Sequence, residues 1–130
     1  MTAPFTDEQV MIQDMARKFA GDALAPHSEA WDRDKHFPVD VIKSAAELGF
    51  AGIYVKDDVG GAGLTRRDAA LIFEQLSYGD VSVAAFISIH NMASWMIDTF
   101  GTDDQRKTWL PPLTSMDLIA SYCLTEPGSG

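Results

Sequence analysis

Between Val81 and Phe100 the chain reads VSVAAFISIHNMASWMIDTF. Its apolar residues, Val83, Phe86, Ile87, Ile89, Met92, Trp95 and Met96 among them, wrap most of the circumference of a helix. Such a helix has to be buried on several sides, either in a bilayer or inside a soluble fold. His90 and Asn91 decide between the two. They sit at the middle of the segment with Ser88 and Ser94 beside them, and a polar cluster at the bilayer centre is costly. The segment is therefore read as a buried helix of a soluble protein over about Ser82 to Phe100, ended by Gly101. His90 and Asn91 read as core polar groups that find partners rather than as a reactive pair.

Signals for further helices stand on both sides. Thr6-Asp7-Glu8-Gln9 has the form of a capping box, with Phe5 and Val10 placed as its hydrophobic staple. Val10, Met11, Met15, Phe19 and Ala23 continue at helical spacing until Pro26. His27 to Phe37 is a connection or a short helix. Pro38 suits the first turn of a helix that runs to about Leu48 and stops at Gly49. The apolar run Ala51–Val55 reads as extended or strand-like, and a glycine-rich loop follows it. Thr65-Arg66-Arg67-Asp68 opens another helix, closing near Gly79. Thr102-Asp103-Asp104-Gln105 opens a last one, stopped by Pro111-Pro112. Only then does LIASYCL, Leu118 to Leu124, bring a convincing strand. A lone strand needs partners, so the expectation is an all-α domain of four to five helices over residues 1–115. Residues 116–130 would be the first strand and loop of a β-domain that continues beyond this chain.

The formal net charge of −9 argues against nucleic acid and against an anionic membrane surface, both of which call for Lys and Arg. The single cysteine excludes an internal disulfide. No secretory or Arg-rich transit segment is visible at the N-terminus, which favours a bacterial cytoplasm, with a processed protein of the mitochondrial matrix as the alternative.

Taken singly, the chemical candidates are weak. Gly60-Gly61-Ala62-Gly63 lacks the spacing of a dinucleotide fingerprint or a P-loop and reads as a turn needing positive φ. His27, His36 and His90 have no metal-ligand spacing. Cys123 has no nearby basic residue and reads as a buried, inert thiol. What remains is the end of the chain. An apolar strand leading into Leu124-Thr125-Glu126-Pro127-Gly128-Ser129-Gly130 offers amides, hydroxyls and glycines suited to a polar, anionic cofactor.

YCLTEPGSG resembles the flavin-binding strand and loop of the acyl-CoA dehydrogenases, and the likeness extends back along the chain. LGFAGIYVKDDVGGAGL and FGTDDQRKTWLPPL resemble other segments of that family. FPVDVIKSAAELGF and FISIHNMASWMIDTFG are most similar to its short branched-chain members, the isobutyryl-CoA dehydrogenases.

The resemblance implies a helical N-terminal domain followed by a β-domain and a C-terminal helical bundle, with FAD as cofactor and a homotetramer as assembly. It implies α,β-dehydrogenation of a short branched acyl-CoA, isobutyryl-CoA favoured and other short-chain acyl-CoAs as alternatives, with an electron-transferring flavoprotein as acceptor. The family's catalytic glutamate would lie beyond residue 130, so no acid in this chain takes that role. Tyr122, Leu124 and Thr125 would lie against the flavin ring, with Cys123 on the far side of the strand. Gly128, Ser129 and Gly130 would approach the pyrophosphate. Ala84, Ala85, Ser88 and Ile89 would fall at the acyl pocket, shaped from behind by Phe86 or Met92. Outside the family, the other reading is a non-catalytic helical interaction module.

Overall fold

Three helices begin on the same device. Thr6, Thr65 and Thr102 each accept the backbone N–H of the residue three positions on. The side chains of those residues, Gln9, Asp68 and Gln105, bond back to the threonine N–H. Each reciprocal pair satisfies donors that a helix start leaves open. The computed structural model describes residues 4–129, and Gly130 lies outside them. Its helices are α1 (Asp7–Phe19), α2 (Ser28–Asp34), α3 (Val39–Ser44), α4 (Arg66–Gly79), α5 (Val81–Phe100) and α6 (Asp103–Thr114). A 3₁₀ turn, Ala45–Leu48, prolongs α3 to the left-handed Gly49.

α1 runs on into a π-helical turn over Ala20–Leu24. That turn crosses α4 closely at Gly79, where an added Cβ would meet the Ala20 carbonyl at 2.7 Å and Leu24 Cβ at 2.9 Å. The main core gathers Ile12, Ala16 and Leu24 from the first helix and its extension, Ile42, Phe50 and Ile53, Ile72 and Leu76 from α4, and Val83, Ala84 and Ile87 from α5. A second cluster joins Val55 and Val59 to Leu110 and Leu113 of α6.

Four features differ from the sequence expectation. Of the two readings of His27 to Phe37 the short helix is the one that forms, Ser28–Asp34, so the described residues hold six α-helices where four to five were expected. Ala51–Val55 is not extended: it winds through successive turns, with Gly52 N–H bonded to Gly49 O and Val55 N–H to Gly52 O. Pro111 and Pro112 lie inside α6 rather than after it. The carbonyls they leave without amide donors belong to Lys107 and Thr108, both exposed, where water replaces the missing bonds.

The described residues contain no strand. Leu118–Leu124 is irregular, and past it there is only an isolated bridge between Glu126 and Ser129. A strand is defined by a neighbour, and these residues offer none. Met116, the first residue after the expected boundary, is fully buried in the helical core.

Candidate functional site

α5 carries its polar residues at the centre of the fold, and each is matched. Asn91 Nδ2 donates to the carbonyls of Phe50 (2.7 Å) and Ile87 (2.9 Å), while its Oδ1 accepts the N–H of Ile53 at 2.7 Å. One side chain thus supplies the bonds that the 50–53 turns would otherwise lack. His90 Nδ1 accepts the N–H of Ala120 at 3.1 Å, so the proton sits on Nε2, which donates to Leu113 O at 3.0 Å. Burial pushes the His90 pKa down, with the bond to the Leu113 carbonyl partly offsetting it, and the ring stays neutral at neutral pH. Among the described residues no buried side-chain polar atom lacks a partner. The reading of this pair as satisfied core groups holds.

The four residues expected at an acyl pocket fall on two faces of α5. Ala84 packs inside the main core. Ala85, Ser88 and Ile89 stand on the opposite side, exposed or half-buried, and the Ser88 hydroxyl donates to Ala85 O at 2.9 Å. Ala85 and Ile89 belong to an apolar stripe along the helix, with Ser88 at its border: Val81 (70% exposed), Ala85, Ile89 (36%), Met92, Met96 and Phe100 (74%). Phe86 turns away from it and meets Phe37 edge to face at 4.9 Å. Beside that pair opens a cleft of about 410 Å³, bounded by Trp31, His36, Ser82 and Val83, which Ala85, Ser88 and Ile89 do not line.

The segment after α6 is anchored only at its start. Leu118 N–H bonds to Pro112 O at 2.9 Å and Ala120 N–H to His90, whereas Ser121 to Ser129 are all exposed. Cys123 is exposed too, not buried as the strand reading required, because no second layer covers the segment. The backbone amides of Tyr122, Cys123, Leu124 and Thr125 have no partner among the described residues. Glu126 and Ser129 exchange both backbone bonds in a tight turn, and an added Cβ at Gly128 would meet nothing within 4 Å. The segment therefore presents a row of free donors followed by an uncrowded turn, and this donor set fits the polar edge of a flavin and an approaching phosphate. Gly130, expected in the same loop, lies outside the described residues.

The glycine loop offers no such donors. The amides of Gly60, Gly61, Ala62 and Gly63 bond to Asp57, Lys56, Gly52 and Val55 carbonyls. Gly60 has φ 93°, and a side chain on Gly61 would collide with the Val55 carbonyl. This is the expected turn, not a nucleotide cradle.

Two charged constellations escaped the sequence reading. Asp98, buried in α5, accepts Lys56 N–H at 3.0 Å and bonds from Arg106 at 2.9 and 2.8 Å; Arg106 also grips Asp58 at 3.0 and 2.8 Å. These bonds hold Asp58 below the usual carboxylate range and Arg106 above its ordinary value. Arg66 lies over the rings of Tyr54 and Trp95. Burial pushes the Tyr54 hydroxyl up, and Arg66 draws it partly back. The available signal was Arg66-Arg67 in the first turn of α4, where α1 and α6 carry acids. Among the described residues no helix is long and apolar enough to cross a membrane, and no cluster of potential metal ligands exists.

The family model described as acyl-CoA dehydrogenase, N-terminal domain, matches residues 6–117. The chain is 58% identical over 125 residues to isobutyryl-CoA dehydrogenase, mitochondrial, of Dictyostelium discoideum and 53% identical to that of Bos taurus. In both cases the match takes in 96% of this chain and 30% of the relative. The solved acyl-CoA dehydrogenase complexed with FAD from Bacillus anthracis is 35% identical and superposes with a TM-score of 0.84, over 97% of this chain and 22% of that one. The helices, their order and the sequence they carry agree with these proteins, and the chain belongs to the acyl-CoA dehydrogenase family.

Proposed function

We propose that this chain is the helical N-terminal part of an FAD-dependent acyl-CoA dehydrogenase that acts on a short branched acyl-CoA, isobutyryl-CoA in the first place. The observation that carries the reading is the segment 120–129, anchored to His90 at one end and presenting free amides beyond it. With a neighbouring strand supplied by a β-domain from residue 116 onward, it becomes that domain's first strand. The amides of Tyr122 to Thr125 and the Thr125 hydroxyl then hold the polar edge of the flavin ring. Gly128, Ser129 and Gly130 leave room for its pyrophosphate. When bound, FAD supplies the two-electron oxidation that removes a hydride from the β-carbon of the acyl group.

The contribution of this chain is binding and orientation. Amides fixed at the ring's edge favour the negative charge that reduction brings. Ala85, Ser88 and Ile89 form an apolar wall suited to a short acyl chain, and Ala84 supports that wall from the core. None of the buried acids among the described residues is free to act as a base: Asp68 bonds Thr65 and Gln9, Asp80 caps α5 and bonds Ser28, and Asp98 is committed to Lys56 and Arg106. On family resemblance the base is a glutamate beyond residue 130. The electron acceptor is an electron-transferring flavoprotein and the assembly a homotetramer, both on family resemblance. The two relatives are named as mitochondrial, which supports the matrix over the bacterial cytoplasm favoured by the N-terminus.

The test is the visible spectrum of the full-length protein, taken without oxygen before and after isobutyryl-CoA is added. A flavin band that bleaches is expected. A band that responds to other short acyl-CoAs alone would replace the substrate, and a folded protein without flavin would restore the non-catalytic module.

A further inference from the structure

Arg66 is flanked by two aromatic rings, its Cζ 3.8 Å from the Tyr54 centroid and 4.5 Å from that of Trp95. No carboxylate among the described residues pairs with it, whereas Arg17, Arg33 and Arg106 each have one. Its position makes this more pointed. Arg66 is the first residue of α4, where the positive end of the helix dipole opposes a cation. Stacking on the rings, with the Tyr54 hydroxyl beside it, holds the guanidinium but leaves most of its five donors unused. With rings over the group, its open direction is the N–H edge, which takes a coplanar carboxylate by two parallel bonds.

Trp95 also locates the partner. It lies one helical turn beyond Met92 and borders the apolar stripe of α5, whose ends Val81 and Phe100 are 70% and 74% exposed. A stripe of this length is covered in a working protein, and the contact with Trp95 puts Arg66 at the border of the stripe. The matched relatives extend well past this segment, since it accounts for 30% of their length.

We propose that Arg66, stacked on Tyr54 and Trp95, is the receptor for a carboxylate carried by the same polypeptide beyond residue 130, in the part that closes over α5. The inference rests on the reading of this chain as the first domain of a longer enzyme. To test it, full-length R66K is treated with a water-soluble carbodiimide, which joins an amine to a carboxylate in contact with it, and mapped by mass spectrometry with R66M as control. A crosslink is expected between the residue-66 peptide and an acidic peptide from beyond residue 130 of the same chain, lost in R66M. A crosslink confined to residues 1–130, one to another copy in an isotope-mixed sample, or none at all overturns the assignment.

A second measurement needs no variant. In the unmodified enzyme phenylglyoxal should modify Arg66 about tenfold more slowly than N-acetylarginine in the same solution, as a bidentate pair shields the group; equal rates overturn the proposal. Flavin content of the same samples separates the two readings. Flavin without the crosslink refutes the role of Arg66 alone, and a crosslink without flavin refutes the cofactor reading alone.

Discussion

His90 uses both ring nitrogens to tie α5 to the end of α6 and to the segment after it, and that makes it sensitive to acid. Its folded pKa lies below the ordinary 6.5. As the pH falls through that value the unfolded chain takes the proton before the folded one. The contribution is therefore complete above about pH 6.5 and is lost toward the lower folded pKa. The urea midpoint should drop between pH 7 and pH 5.5, and the slope should flatten in His90→Gln, which is also less stable at pH 7. An unchanged slope in that variant would remove His90 from the account. That the pair would be satisfied was readable from its place in an apolar helix. The partners were not, because they lie far away in the chain: 38 and 41 residues for Asn91, 23 and 30 for His90.

At the scale of elements, the crossing of α4 over the π turn depends on a missing side chain. Gly79→Ala would push a methyl group against Ala20 and Leu24 and should cost about 1–3 kcal/mol, as overpacking does. Gly21→Ala, in the same turn but with nothing within 4 Å of the new atom, should stabilise by up to about 1 kcal/mol through helix propensity. Thermal melts of the two variants that moved in the same direction would contradict this packing.

The helix starts were legible because a capping box is local: the threonine and its partner are three residues apart, and all three boxes form. Ala51–Val55 was misread because apolar, β-branched residues suit a strand, while Asn91 reaches in from α5 and bonds its turns. The helix continues through Pro111-Pro112 because the carbonyls deprived there face solvent. The residues of the flavin segment were recognisable as a motif, but their strand geometry depends on a neighbour outside these residues. The π turn left no sequence signal.

At the scale of the whole molecule, several apolar surfaces of the described residues remain uncovered. The α5 stripe, Trp109 (50% exposed) and Leu124 (62%) present apolar surface together with the free amides of 122–125. The 130-residue chain by itself should therefore associate with its own copies despite a net charge of −9. Sedimentation velocity over a range of concentrations should show this, and Ile89→Asp combined with Phe100→Asp should return it to monomer. A monomer at every concentration would mean that these surfaces are less exposed than described.

The node at Arg106 has a consequence for the order in which the molecule is made. A ribosome delivers Asp58 and Lys56 long before it delivers Arg106, yet the ion pairs that tie the loop after Val55 to α5 and α6 form only when Asp98 and Arg106 are both in place. The first helices and Asn91 can settle as they emerge. The glycine loop can close on its own carbonyls as it emerges, but Asp58 finds its partner only once the start of α6 has left the exit tunnel and closes the buckle behind it.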